Sequence, residues 1–360
     1  MKSETFEEFQ KVADELLKVN RLSGSEGSVL TKKRIKRFLG ERGIKYSEEF
    51  FHVEKLFPVK ASIEVNNLTI PCVPYIGSPS GRYEGYAKRD IIKGDIALVK
   101  VSEEAIKIPQ AKDNGAKAVI TYMETLNTHY YGIVSEGDFP VVNVKKEAIE
   151  RIEDAYVRIT VETKKEKVLC SNILFEIGRG PIVYLVAHTD TKPGVFGAID
   201  NGIGFLLLLF IADELRKNYN LPYRVRFLLT DAEELGLEGS KFHIGMGVKY
   251  AYHCINVDAV GWYHPAVIYK DAEGYNGDKL MDMFARHIQD MKVSVDFRCS
   301  HRAKSDHIPF KKAGLQTLFL SSNPFTIRHT LYDNLDAVNW DIVRMWYELI
   351  LSFLRRFHKL

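Results

Sequence analysis

Residues Ile182 to Ala187 are apolar and β-branched without a polar interruption, the pattern of a strand buried on both faces of a sheet. Phe205 to Ile211 are apolar all round, which predicts a core helix; the run falls well short of the roughly 20 residues a bilayer span needs. Between them lies a polar stretch with His188, Asp190 and Asp200, in which Gly197, Gly202 and Gly204 let the backbone turn tightly. The alternation continues to the C-terminus. Strands are predicted at Val168–Ile177, Pro181–Ala187, Tyr223–Thr230, Ala251–Val257 and Gly314–Leu320. Helices are predicted at Phe205–Lys217 and Gly277–Met291, and a C-terminal helix holds Ile342, Met345, Leu349 and Phe353. Strand–helix alternation of this kind predicts an α/β fold with a mixed, mostly parallel central sheet covered by helices on both faces.

The N-terminal region is helical in pattern. Thr5 and Glu8 form a capping box ahead of Phe6, Phe9, Val12, Ala13, Leu16 and Leu17. After the Ser23–Ser28 break, a second helix carries Val29, Ile35, Phe38 and Leu39, while Lys32, Lys33, Arg34, Lys36 and Arg37 read as a solvated face. From residue 58 to 165 the texture changes to short strands and turns rich in Gly, Pro and Ser. Its core is Gly94–Val99, a helix over Glu103–Asn114, then Gly115–Thr121 and Phe139–Val144. In that order these segments resemble the protease-associated domain. The resemblance implies a smaller β-rich insert at 58–165 that shapes substrate access without catalytic groups, inside a main domain of 1–57 and 166–360. Lys164–Lys167 read as a charged linker between them.

Charge and cysteine content remove several classes. In 360 residues, 50 Lys and Arg nearly balance 47 Asp and Glu, and the basic clusters are local, so neither nucleic acid nor an anionic membrane surface is expected as partner. Acidic residues at the N-terminus stand where a signal peptide needs an apolar core, which points to the cytoplasm. Cys72, Cys170, Cys254 and Cys299 are widely spaced, which argues against a thiolate zinc site or a disulfide framework and for buried free thiols.

The chemistry collects at strand ends. His188 and Asp190 follow the first strand, and Asp231, Glu233 and Glu234 follow the Tyr223–Thr230 strand. Asp258 follows Ala251–Val257, and Arg328, His329 and Asp333 come after Gly314–Leu320. Ligands in open α/β sheets bind beyond the carboxyl ends of strands. Imidazole and carboxylate without thiolate suit Zn, Co or Mn; one metal needs three protein ligands, and two that share a carboxylate need about five.

The spans His188-x-Asp190, Gly197-Ala-x-Asp200-Asn-x-x-Gly204, Glu233-Glu234-x-Gly-x-x-Gly-Ser240, Asn256-x-Asp258-x-x-Gly261, Ser305-Asp306-His307-x-Pro-Phe310 and His329-Thr-x-x-Asp333 resemble the co-catalytic di-zinc aminopeptidase family. That family includes leucyl-type aminopeptidases, glutamate carboxypeptidase II and the glutaminyl cyclases. The resemblance implies peptide substrates and two divalent ions, with zinc first and Co or Mn as alternatives. His188 and Asp258 would hold one ion, Glu234 and His329 the other, and Asp200 would bridge. Glu233 would be the general base and Asp190 the partner of the His188 ring. Asp306 and His307 would be supports. Where relatives often carry Tyr before the last His, this chain has Arg328, a candidate for substrate binding or for a plain ion pair with Asp333. Carboxypeptidase, dipeptidase, glutaminyl cyclase and non-catalytic binding protein are the alternative readings, and the sequence leaves a homo-oligomer open.

Overall fold

The computed structural model describes residues 1–248 and 251–357. Its contacts divide the chain into two compact units, one of Met1–Val53, Leu169–Arg328 and Tyr332–Leu360, the other of Glu54–Val168 and His329–Leu331.

In the first unit, Ile182–His188 is the fully buried strand its composition predicts. It pairs in parallel with Arg224–Thr230 on one side and Ala251–Val257 on the other, and Ala251–Val257 pairs in parallel with Gln316–Ser322. Antiparallel strands flank this centre, Pro265–Asp271 beside Gln316–Ser322 and Tyr156–Gly178 beside Arg224–Thr230, so the sheet is mixed. Side chains alternate across it. Ile182, Tyr184 and Val186 join Phe310 and Leu315 in one core with Ile244 against it, which leaves Val183 and Leu185 for the other face. On the Ile203–Asn218 helix every residue from Ile203 to Asp213 is buried. Phe210 meets Phe9 and Phe38 at ring-centroid distances of 4.9 and 5.1 Å, which ties the two N-terminal helices to it. Truncating one of its fully buried leucines to Ala would cost about 2–5 kcal/mol.

The second unit repeats the logic on a smaller scale. Gly81–Lys88, Ile96–Lys100, Ala118–Tyr122 and Val141–Val144 pair in parallel, with the Glu104–Asp113 helix between the second and third. Ile96, Leu98 and Ile120 enter one core, and Ala97, Val99 and Val119 enter another with Ala111 of the helix.

Four expectations need correction. The first helix begins at Ser3 with Lys2 as its cap and no capping side chain; the Phe6 N–H already donates to the Lys2 carbonyl, so Thr5 lies within the first turn and forms no capping box. The basic run of the second helix is not wholly solvated, because Lys32 is buried and pairs with the fully buried Asp231. Lys164–Lys167 are not a linker. They lie inside the continuous strand Tyr156–Gly178, where Lys165 reaches Glu54 at 2.7 Å. Cys299 is exposed at the end of the short strand Asp296–Cys299, while the other three cysteines are buried. The C-terminal helix is Trp340–Arg356 and holds Ile342, Met345, Leu349 and Phe353 as expected; Leu349 and Phe353 are buried with Val343, Trp346, Tyr347, Ile350 and Leu354. Among the described residues no helix is long and apolar enough to cross a membrane.

Candidate metal centre

His188 is the last residue of its strand and 1% exposed. The loop that follows is held from the N-terminal region. The buried guanidinium of Arg21 donates to the carbonyls of Thr189, Phe196 and Gly197 at 2.8, 2.6 and 2.7 Å. The Asn20 amide donates to the Thr191 hydroxyl and to the Lys192 and Val195 carbonyls. Gly197 then turns with φ 56°, and a side chain at Gly204 would collide with Asn201 at 1.9 Å, so both glycines are required for the chain to fold back around Asp200. The Asp200–Asn201 peptide is cis. Asp333 fixes the far side of that turn, its two oxygens accepting the Ile199 and Asp200 amides at 2.7 and 3.1 Å. Three non-glycine residues in or beside the ligand loops, Ala232, Ala259 and His329, hold left-handed φ of 58°, 57° and 58°. Such strain costs on the order of 1–3 kcal/mol each and persists where the surroundings over-determine it.

His188, Asp200 and Asp258 offer ligand atoms within 4.8 Å of one another. His188 Nδ1 lies 3.1 Å from the Asp190 carbonyl, which can only accept, so Nδ1 carries the proton. In the neutral ring Nε2 therefore faces Asp200 Oδ1 at 3.1 Å and Asp258 Oδ1 at 3.4 Å with its lone pair. A lone pair aimed at two carboxylates is repulsive unless a cation or a proton lies between them. Those separations match the tetrahedral edge of about 3.4 Å expected for bonds of 2.0–2.2 Å. Asp258 is aimed by Ser305, whose hydroxyl donates to Oδ2 at 2.5 Å and accepts from the Asn256 amide at 2.7 Å.

Asp200, Glu234 and His329 make a second such group, so Asp200 belongs to both. The fully buried Asp190 holds the loop that bears the two glutamates, its oxygens accepting the Glu233 and Glu234 amides at 3.1 Å each. It thus orients His188 and the glutamate turn together. Lys192 donates to the Glu234 carbonyl at 2.5 Å and to Glu234 Oε2 at 3.0 Å.

The electrostatics of this pocket call for positive charge. Burial pushes the Glu233 carboxyl well above the usual range; the charges of Glu234, Asp258 and Asp306 add to this and His188 opposes it. Burial likewise lifts Asp306 to about 6, and burial with the Asp200 charge lifts Asp333 to about 8. For His188, burial favours the neutral ring, but Glu233 and Asp258 overcome it and raise the pKa well above 6.5. So many buried carboxylates cannot all ionise together without compensating cations. The donors are imidazole nitrogen and carboxylate oxygen in two groups of three that share one residue, a set that fits divalent zinc, cobalt or manganese.

The remaining sequence candidates are placed as follows. Arg328 is half-buried beside His329. Asp306 is fully buried and accepts from the Thr230 hydroxyl. His307 Nε2 meets Asp271 Oδ2 at 2.8 Å. Sequence reasoning missed Arg21, Lys192 and Ser305. Only Ser305 lay in a quoted motif; Arg21 acts 168 residues along the chain.

Comparison with known proteins finds the same fold in solved structures. BSAP, a zinc aminopeptidase from Bacillus subtilis, superposes with a TM-score of 0.78 at 20% identity over 98% of this chain and 94% of its own. An aminopeptidase from Aneurinibacillus sp. strain AM-1 superposes with a TM-score of 0.75 at 19% identity, covering 98% and 93%. In sequence, aminopeptidase YwaD of Bacillus subtilis is 27% identical over 272 residues, which is 69% of this chain and 59% of that protein's length. Residues 172–354 match peptidase family M28, and the chain belongs to that family.

Proposed function

We propose that this protein is a metal-dependent exopeptidase that hydrolyses the N-terminal peptide bond of peptides. The observation that carries the reading is the pair of ligand groups sharing Asp200, with the buried Glu233 next to the ligand Glu234 on a turn whose amides Asp190 holds. His188 and Asp258 would hold one ion, Glu234 and His329 the other, and Asp200 both. Two divalent ions, zinc in the first place and cobalt or manganese otherwise, would lower the pKa of a shared water toward ~7 and polarise the scissile carbonyl. Glu233, next to the ligand Glu234 but outside the ligand set, would accept the proton of that water and return it to the departing amine. Asp190 keeps the His188 tautomer and the Glu233 backbone in place. Arg328, beside His329, binds the substrate, its guanidinium either polarising the scissile carbonyl or pairing with a substrate carboxylate. Residues 58–165 form a protease-associated insert that supplies no ligand, and the protein acts in the cytoplasm. The aminopeptidases named above, one of them a zinc enzyme, support the choice of an aminopeptidase over other peptidases of the fold.

The test is an activity panel on chelated protein with zinc, cobalt or manganese restored, using aminoacyl, N-acetyl-aminoacyl and C-terminally blocked peptides. Cleavage of free-amine peptides regardless of the C-terminal block is expected. Equal cleavage of acetylated peptides, or dependence on a free C-terminus, would transfer the assignment to a carboxypeptidase or dipeptidase.

A further inference from the structure

We propose that Lys192 makes the two metal positions unequal, so that the position served by Glu234 is the weaker one. The inference rests on the metal reading above and concerns a residue outside the ligand set. Lys192 is 2% exposed, and its ammonium is fixed at two points on one residue, the Glu234 carbonyl at 2.5 Å and Glu234 Oε2 at 3.0 Å. It cannot swing out to water without abandoning both. An ion bound by Glu234 therefore shares the carboxylate with a buried cation. Asp258 in the other group is held by a neutral donor, the Ser305 hydroxyl, and keeps its whole charge for an ion.

Two opposed effects follow from this contact. By fixing the Glu234 side chain, Lys192 spares an ion the cost of ordering it, which is worth at most about tenfold in affinity. By placing a positive charge across one carboxylate from the ion, it repels the ion. At an effective dielectric of about 20 and a separation of a few ångströms, that repulsion is on the order of a hundredfold or more. Repulsion outweighs ordering. Lys192 thereby stabilises the metal-free Glu234 side and biases the protein toward holding its first ion at His188, Asp200 and Asp258.

The experiment is a zinc titration of the metal-free, full-length protein against a chromophoric chelator. Wild type is expected to show two unequal constants, and Glu234→Gln to remove the weaker one and keep the tighter. Lys192→Met should tighten the weaker constant at least tenfold and move the tighter one less than about threefold, while Lys192→Arg, which retains the charge, should keep the constants unequal. A weaker constant that is unchanged or loosened in folded Lys192→Met overturns the inference. So do two equal constants in wild type, a result that needs no folded variant. Failure of wild type to bind two zinc ions overturns the two-metal reading itself, and is distinct from two equal constants.

Discussion

In the first unit the parallel strands Ile182–His188, Arg224–Thr230 and Ala251–Val257 run out into His188, Asp231 with Glu233 and Glu234, and Asp258, all of them buried. In the second unit the parallel strands Ile96–Lys100, Ala118–Tyr122 and Val141–Val144 also share one direction, yet their ends carry charges that face water. Lys100 and Glu124 meet there at 2.7 Å with side chains 37% and 40% exposed, and Lys145 is exposed. Both regions have strand ends and acidic residues. The difference is solvation: exposed carboxylates are satisfied by water, whereas buried ones need amides, hydroxyls, a lysine or an ion. A strand end becomes a candidate site when its charges are buried and still aimed at one another.

Substituting the shared ligand should have the largest effect. Asp200→Asn weakens both groups at once and is expected to bring turnover to the level of metal-free protein and metal content below one ion per chain, as read by elemental analysis. Next comes Asp190→Asn, which removes charge from the acceptor of the Glu233 and Glu234 amides while leaving all five ligands in place. A loss of about 10–100-fold in metal affinity or activity is expected. The third substitution acts on stability and leaves the ligands untouched. Lys32→Met strands the buried Asp231 charge, which should cost about 3–5 kcal/mol in urea unfolding. Its counterpart in the second unit is Lys100→Ala, which breaks an exposed pair and should leave the unfolding midpoint unchanged. If the two lysine substitutions proved equally costly, the contrast drawn between the two regions would fail.

Much of this layout is written in local pattern. The run Ile182–Ala187 dictates a buried strand, the run Phe205–Ile211 a buried helix, and His188, Asp200 and Asp258 meet because they sit at the ends of neighbouring parallel strands or in the loops that follow them. What escapes a sequence reading is pairing between distant segments. Nothing around Arg21 distinguishes it from the basic residues nearby, yet it holds a loop more than 160 residues away. Lys32 matches the solvated face of its helix in periodicity and is buried only because Asp231 lies against it. Lys164–Lys167 resemble a linker by charge, but alternating exposure along a paired strand tolerates such residues. The dual hold of Asp190 on both glutamate amides needs the loops to be assembled before it can be seen.

The central claim is that the buried acids of the first unit divide into groups that bind metal and one that moves a proton. Glu233→Gln tests it most directly, with metal content and kcat measured on the same purified sample. Gln keeps the shape of the side chain and removes only its capacity to accept a proton, so metal content should match wild type while kcat falls on the order of 10²–10⁴-fold. Near-normal kcat at full metal content would contradict the account by removing Glu233 from proton transfer, and loss of metal would contradict it by making Glu233 a ligand.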